Sequence, residues 1–182
     1  MTEIELKAWI DDPESISRVL DGFARPEGAY DKLDEYWRPA ADPDRLGSGV
    51  RLRSAAGGAN NAVVNFKRKE VRGAIEVNDE REFAVSDAAV CRELFERLGL
   101  EPWIRKRKTG RAWTWEGITA EISRVEGLGD FVELEILADG DAPETVAAAR
   151  ARLLALLARL GVPESALEPR YYTAMLSEKR RR

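Results

Sequence analysis

Thr2-Glu3-Ile4-Glu5-Leu6-Lys7-Ala8-Trp9-Ile10 alternates charged and apolar residues from almost the first position of the chain. Successive side chains of a strand point to opposite faces. Glu3, Glu5 and Lys7 therefore share one face, and Ile4, Leu6, Ala8 and Ile10 the other. Taken alone, the pattern describes any strand with one wet face. It decides the fold only if the charged face looks inward, and the remainder of the chain carries that information.

The pattern recurs. Arg51 and Arg53 share a face opposite Val50 and Leu52. Lys67 and Lys69, Glu80 and Glu82, and Lys106 and Lys108 are spaced in the same way. Glu133 and Glu135 lie opposite Val132, Leu134 and Ile136. An ordinary surface strand mixes Thr, Ser and Gln with its charges; these strands carry charge in pairs. If about eight such strands close into a barrel, one face becomes an interior. The apolar faces then point outward and need cover, because large bare apolar patches are rare on soluble proteins. The expected fold is α+β: a closed antiparallel eight-stranded β-barrel with amphipathic helices packed outside. Burying unpaired ions costs several kcal/mol each, which a water-filled tunnel of mixed sign largely avoids. Its carboxylates suit a hard divalent cation such as Mg²⁺, Mn²⁺ or Ca²⁺. Its Lys and Arg side chains suit a polyanion such as a triphosphate.

Composition narrows the chemistry. The 182 residues suit one domain, 1–182, with a basic tail at about 178–182. The chain is 44% hydrophobic and 34% charged, and 29 Lys and Arg against 33 Asp and Glu give a net charge of −4. That balance argues against a general nucleic-acid binder. Histidine is absent, which excludes Ser-His-Asp and Cys-His mechanisms and His-ligated zinc. Cys91, the one cysteine, sits in a helical apolar pattern and reads as a buried, inert thiol. No apolar run approaches a membrane span and no signal peptide is visible, so the expected location is the cytoplasm.

The elements follow from caps and breakers. Asp12-Pro13 starts a helix whose apolar stripe is Ile16, Val19, Leu20 and Phe23. Residues 29–38 are extended, and 39–49 form a loop. A turn at 57–61 joins strands at 49–54 and 62–69. Residues 75–85 form a strand. Ser86 caps a helix to about Leu98 with Val90, Leu94, Phe95 and Leu98 on its apolar face. Residues 101–108 are extended, Thr109-Gly110 turns, and 111–115 returns. A turn at Glu116-Gly117 leads into 118–125. Gly127-Leu128-Gly129 makes a tight turn into 130–138; a strand follows it, so it is no dinucleotide fingerprint. A helix spans 143–160, a last helical stretch holds Tyr171, Tyr172, Met175 and Leu176, and the terminal Lys-Arg run is a solvated tail.

Glu3-Ile4-Glu5-Leu6-Lys7 resembles the ExExK signature of the CYTH superfamily, the triphosphate tunnel metalloenzymes. That group includes class IV adenylyl cyclases, thiamine triphosphatases and inorganic tripolyphosphatases. Arg51-Leu52-Arg53, Lys67, Glu80-Arg81-Glu82 and Lys106-Arg107-Lys108 follow in the family's order. Gly127-Leu128-Gly129-Asp130-Phe131-Val132-Glu133-Leu134-Glu135 is similar to its GLGxFxExE segment, and Tyr172 to Leu176 to its closing segment.

The resemblance implies metal binding by Glu3, Glu5, Glu133 and Glu135, with Mg²⁺ or Mn²⁺ as cofactor. It implies phosphate binding by Lys7, Arg51, Arg53, Lys67, Lys106 and Lys108. Glu80 and Glu82 support metal or orient water, so Glu5, Lys7, Glu80 and Glu82 form the catalytic set. Lys69 matches no family position. Asn78 stands where an Arg is common, and Ser123 where an Asp is common; Glu121, one strand step away, is a partial substitute. The implied function is metal-dependent hydrolysis of tripolyphosphate or of an organic triphosphate such as thiamine triphosphate or a nucleotide. The alternatives are an adenylyl cyclase and a non-catalytic polyphosphate or nucleotide binder. Only Met1-Thr2 precede Glu3, without the His-Phe pair common in the family's cyclases, which favours hydrolysis. The partner is a triphosphate-bearing small molecule, with no nucleic acid or membrane, and a homodimer is left open. Trp37, Trp103, Trp113 and Trp115 serve packing or stack an organic group.

Overall fold

The computed structural model describes residues 2–43, 49–55, 62–72 and 74–181, with the side chains of Arg68 and Lys69 excepted. The alternation of the sequence becomes eight strands: β1 (Thr2–Trp9), β2 (Arg25–Pro39), β3 (Val50–Ala55), β4 (Ala62–Arg72), β5 (Ile75–Val85), β6 (Leu100–Trp115), β7 (Ile118–Val125) and β8 (Gly129–Ala138). They close into an antiparallel barrel in the order β1-β5-β4-β3-β2-β6-β7-β8. Four helices accompany them: α1 (Pro13–Asp21), α2 (Ala88–Arg97), α3 (Pro143–Arg159) and α4 (Tyr172–Arg180). The expected α+β barrel with helices outside is the observed fold. Among the described residues no helix is long and apolar enough to cross a membrane.

Residues group into two compact units. One comprises Met1–Tyr30, Lys69–Asp79 and Thr109–Arg170, and the other Asp31–Arg68, Glu80–Lys108 and Tyr171–Arg182. In the first unit the apolar face of β1 is fully buried: Ile4, Leu6 and Ala8 have no exposed surface. They join Val132, Leu134 and Ile136 of β8 and Leu153, Leu156 and Leu157 of α3 in one core. Each fully buried aliphatic side chain contributes about 1.5–3 kcal/mol, so α3 fixes which face of β1 is dry. Ile16 and Leu20 of α1 enter the same core. Asp12 caps that helix by accepting from the Ser15 N–H at 2.9 Å, and Pro13 follows at its first position. Val19, expected on the buried stripe, is instead exposed. In the second unit α2 places Ala88, Cys91 and Phe95 over Trp37, Leu52, Ala62 and Val64, and Cys91 is the buried thiol that the sequence suggested.

Several expectations are corrected. Strand β6 runs unbroken through Thr109-Gly110. Gly110 is needed there for close approach and not for a turn, because a Cβ would run into the Ile122 carbonyl and the Ser123 Cα of β7. Helix α2 is capped by Asp87 and not Ser86: Asp87 Oδ1 accepts from the Ala89 and Val90 N–H groups. Of its expected apolar face only Phe95 is buried, while Val90, Leu94 and Leu98 are exposed. The basic terminus is not wholly a tail, since α4 includes Lys179 and Arg180, and the Arg180 guanidinium donates to the Trp103 carbonyl. Glu116-Gly117 turns as expected, with both φ values positive. The turn expected at 57–61 and the Lys69 side chain lie outside the described residues.

After α3 the chain crosses the end of β1 and is pinned there. Glu168 donates its N–H to the Lys7 carbonyl and accepts from Trp9 Nε1 at 3.1 Å and from the Arg170 guanidinium at 2.6 Å. Led by the Arg170 hydrogen bond, these contacts hold the Glu168 carboxyl at about 2, against burial that would raise it. A depressed carboxyl stabilises the fold above its unfolded value of about 4.5, and that gain is lost as pH falls toward 2. Glu168→Gln is therefore expected to cost on the order of 2–3 kcal/mol at neutral pH. It should also flatten the stability–pH slope between about 4.5 and 2, read by urea unfolding at stepped pH. An unchanged slope would refute the clamp.

Candidate active site

The charged face of β1 is the one turned away from α3, which packs on Ile4, Leu6 and Ala8. In the first unit β1 lies between β5 and β8, and the registers set carboxylates at matching levels. Glu5 aligns with Glu76 on one side and Glu135 on the other; Lys7 aligns with Glu133, and Glu133 with Glu121. Glu3, Glu5, Glu133 and Glu135 are all half-buried, and every one of them has polar interactions. Lys7 is buried and forms an ion pair with Glu76. Ser123 donates to Glu133 Oε1 at 3.0 Å, and Tyr30 donates its hydroxyl to Glu121 Oε2 at 3.0 Å. Asn78 aligns with Glu3. It is 1% exposed, and neither its amide nitrogen nor its oxygen has a protein partner.

The second unit holds the phosphate-binding candidates. Tyr36 and Asp34 of β2 align with Arg51 and Arg53 of β3, and Arg51 with Asn65 of β4. Asp34 is completely buried. Arg53 grips it with a fork, Nε at 2.7 Å and a terminal nitrogen at 3.0 Å, and Lys106 Nζ lies 3.0 Å away. Burial pushes the Asp34 carboxyl up, but Lys106, Arg53 and Arg51 together outweigh it and hold it well below the usual carboxylate range. Glu80 is held by Arg51 at 3.1 Å, and by Lys67 and Asn65. Lys106 Nζ also sits 4.9 Å from the centre of the Tyr172 ring, a cation–π contact with α4. Lys108 is buried, whereas Glu82 is exposed.

The structure therefore gathers Glu3, Glu5, Lys7, Glu133 and Glu135 in one unit. It gathers Arg51, Arg53, Lys67, Glu80, Lys106 and Lys108 in the other, with Glu82 outside the contacts described for that group. Sequence reading missed Glu76, Asp34 and Asn65. Glu76 carried a usable signal, since Ile75-Glu76-Val77-Asn78 alternates as β1 does. The tryptophans read as packing: Trp113 has no exposed surface, Trp37 packs on Phe95, Trp115 on Phe23, and Trp103 faces Arg38.

Among the described residues no three acidic or cysteine side chains converge as a ready-made metal cage. The donor set nevertheless fits a hard divalent cation in kind. It offers four half-buried carboxylates on adjacent strands and, aligned with Glu3, a buried amide oxygen without a protein partner.

A closed barrel whose strands carry clustered carboxylates in one unit and clustered cations in the other fits the class of the triphosphate tunnel proteins. The family model of the CYTH domain matches residues 1–172, and the chain belongs to that family. A candidate adenylate cyclase of Methanocaldococcus jannaschii is 30% identical over 139 residues, covering 74% of this chain and 77% of that protein. A conserved hypothetical protein of Pyrococcus furiosus superposes with a TM-score of 0.79 at 28% identity, covering 94% of this chain and 98% of the other. A Hippeastrum candidate adenylyl cyclase, described as having a dominant triphosphatase activity, shares the fold at 19% identity and a TM-score of 0.69, covering 97% and 96%.

Proposed function

We propose that the protein is a divalent-metal-dependent triphosphatase acting on tripolyphosphate or an organic triphosphate. The observation that carries this reading is the charge of the second unit's face. Among the described contacts Arg51, Arg53, Lys67 and Lys106 stand against Asp34 and Glu80, four cations to two carboxylates. The Arg51 Nε is buried without a protein acceptor, a donor suited to a phosphate oxygen.

Glu3, Glu5, Glu133 and Glu135 would hold Mg²⁺ or Mn²⁺, which supplies neutralisation of phosphate charge. The chain's own residues do the remainder. Arg51, Arg53, Lys67, Lys106 and Lys108 bind the phosphates, and Asp34 and Glu80 keep those cations aligned. Lys7, held by Glu76, donates to a phosphate oxygen. A water oxygen bonds to phosphorus as the bridging P–O bond breaks, and the cations stabilise charge gathering on the leaving phosphate. With no histidine in the chain, a carboxylate, Glu5 or Glu80, takes the water proton.

The name of the Methanocaldococcus relative favours a second reading, ATP cyclisation on the same site. Incubation with tripolyphosphate, thiamine triphosphate or ATP, each with Mg²⁺ or Mn²⁺, is expected to release inorganic phosphate. Cyclic AMP with pyrophosphate would establish the cyclase instead, and binding without turnover a sensor.

A further inference from the structure

Ile75 and Val77 of β5 lie in the core with Ile4 and Leu6. Alternation therefore puts Glu76 and Asn78 on the opposite face, level with Glu5 and Glu3 of β1. Asn78 is 1% exposed. An amide carries two N–H donors and an accepting oxygen, and neither end of this one meets a protein partner. Among the described residues no other buried side chain has two polar atoms unmet. Other buried polar groups are matched: Lys7 pairs with Glu76, Ser123 donates to Glu133, and Asn65 donates to Glu80. A buried polar group left unmet loses its hydration with nothing in return, so Asn78 calls for a partner from outside the chain.

The surroundings select that partner. Glu3 stands directly across the strand pair, where Cβ atoms are about 5 Å apart. Glu5 and Glu76 are aligned two residues further along. Ionised carboxylates accept and cannot donate, so they could satisfy Nδ2 and never Oδ1. Oδ1 needs an electropositive partner small enough for a position closed to solvent, either a metal ion or a water. The carboxylates favour the ion. An amide oxygen is a hard, uncharged ligand of the kind that divalent cations take beside carboxylates. We propose, on the metal reading of Glu3, Glu5, Glu133 and Glu135, that Asn78 is the neutral ligand of that cation, with Oδ1 on the metal and Nδ2 donating to a carboxylate oxygen. Asn78 adds a property that those carboxylates lack. The metal-free chain bears an unmet amide and cation binding relieves it, so one side chain links the stability of the empty chain to its affinity for metal.

Calorimetric titration of the full chain with Mn²⁺, without any triphosphate, tests this apart from catalysis. Asn78→Leu keeps the branched shape and removes both polar atoms. It is expected to weaken Mn²⁺ binding at least ~10-fold, while the thermal unfolding midpoint without metal stays level or rises. Asn78→Asp keeps the oxygen and adds a charge across from Glu3. Its midpoint without metal should fall, because like charges directly opposite repel, and its Mn²⁺ affinity should equal or exceed the parent's. The two variants thus move stability and affinity in opposite directions, which an amide of purely structural role would not do. Unchanged Mn²⁺ affinity in Asn78→Leu, as expected if the amide holds a structural water, would overturn the assignment and leave the carboxylate site standing. Equal weakening in both variants would do the same. No Mn²⁺ binding by the parent would overturn the metal reading of the carboxylates and the role of Asn78 with it.

Discussion

Glu5→Gln is expected to abolish metal-dependent triphosphate hydrolysis, with kcat/KM falling about 10³-fold or more, or about 4 kcal/mol of transition-state stabilisation. The size follows from where Glu5 sits. It is half-buried on β1, level with Glu76 of β5 and Glu135 of β8. Gln has the same shape and one neutral oxygen, so packing is preserved while one negative charge is lost from the carboxylates proposed to hold the cation. The effect should therefore appear in chemistry and metal binding and not in folding. Without metal, thermal unfolding of the variant should match or exceed that of the parent, because like charges on adjacent strands repel. With Mn²⁺ the parent should gain stability by mass action and the variant should gain little. Metal-free binding of tripolyphosphate should survive, since Arg51, Arg53, Lys67, Lys106 and Lys108 are untouched. Full activity in the variant would refute the metal assignment of β1.

What the sequence disclosed and what it hid have the same physical source. Period-two alternation is legible where one face is apolar throughout, as in Ile4, Leu6 and Ala8 or in Val132, Leu134 and Ile136. There the register of the barrel wall follows directly. In β2, Asp31, Lys32, Asp34 and Glu35 put charge on both faces, so nothing in the pattern singles out Asp34 as the buried one. Its partner Lys106 comes from a strand distant in sequence, and Arg53 reaches it only through the pairing of β2 with β3. Gly110 was misread because glycine serves both turns and close backbone approach, and only the neighbouring β7 distinguishes the two. Helix α2 was misread in its face because its apolar arc is wider than the core stripe. The surplus is visible only when the barrel shows how much it covers.

Asp34→Asn is the strongest expected perturbation of stability. Asp34 has no exposed surface, and Arg53, Lys106 and, at 3.9 Å, Arg51 converge on it. Removing one partner of a buried ionic group costs about 3–5 kcal/mol. Arg53 retains access to solvent, with a quarter of its side chain exposed, so a loss near 3 kcal/mol is expected, read as a lower urea midpoint. Because the three cations hold the Asp34 carboxyl well below its usual range, the parent's advantage is present above the unfolded carboxyl value. It should persist into acid and vanish only as pH falls through the depressed value. The same substitution raises the face's surplus of positive charge by one. Tripolyphosphate without metal should accordingly stabilise Asp34→Asn more than it stabilises the parent, because the anion supplies the charge that was removed and binds only the folded chain. Chloride at equal ionic strength should not reproduce that recovery, since it cannot span two guanidinium groups. Equal stability of variant and parent would show that the cations do not need Asp34. A destabilised variant that tripolyphosphate rescues no better than the parent would show that this face does not bind the anion, and would remove the observation on which the triphosphatase reading rests.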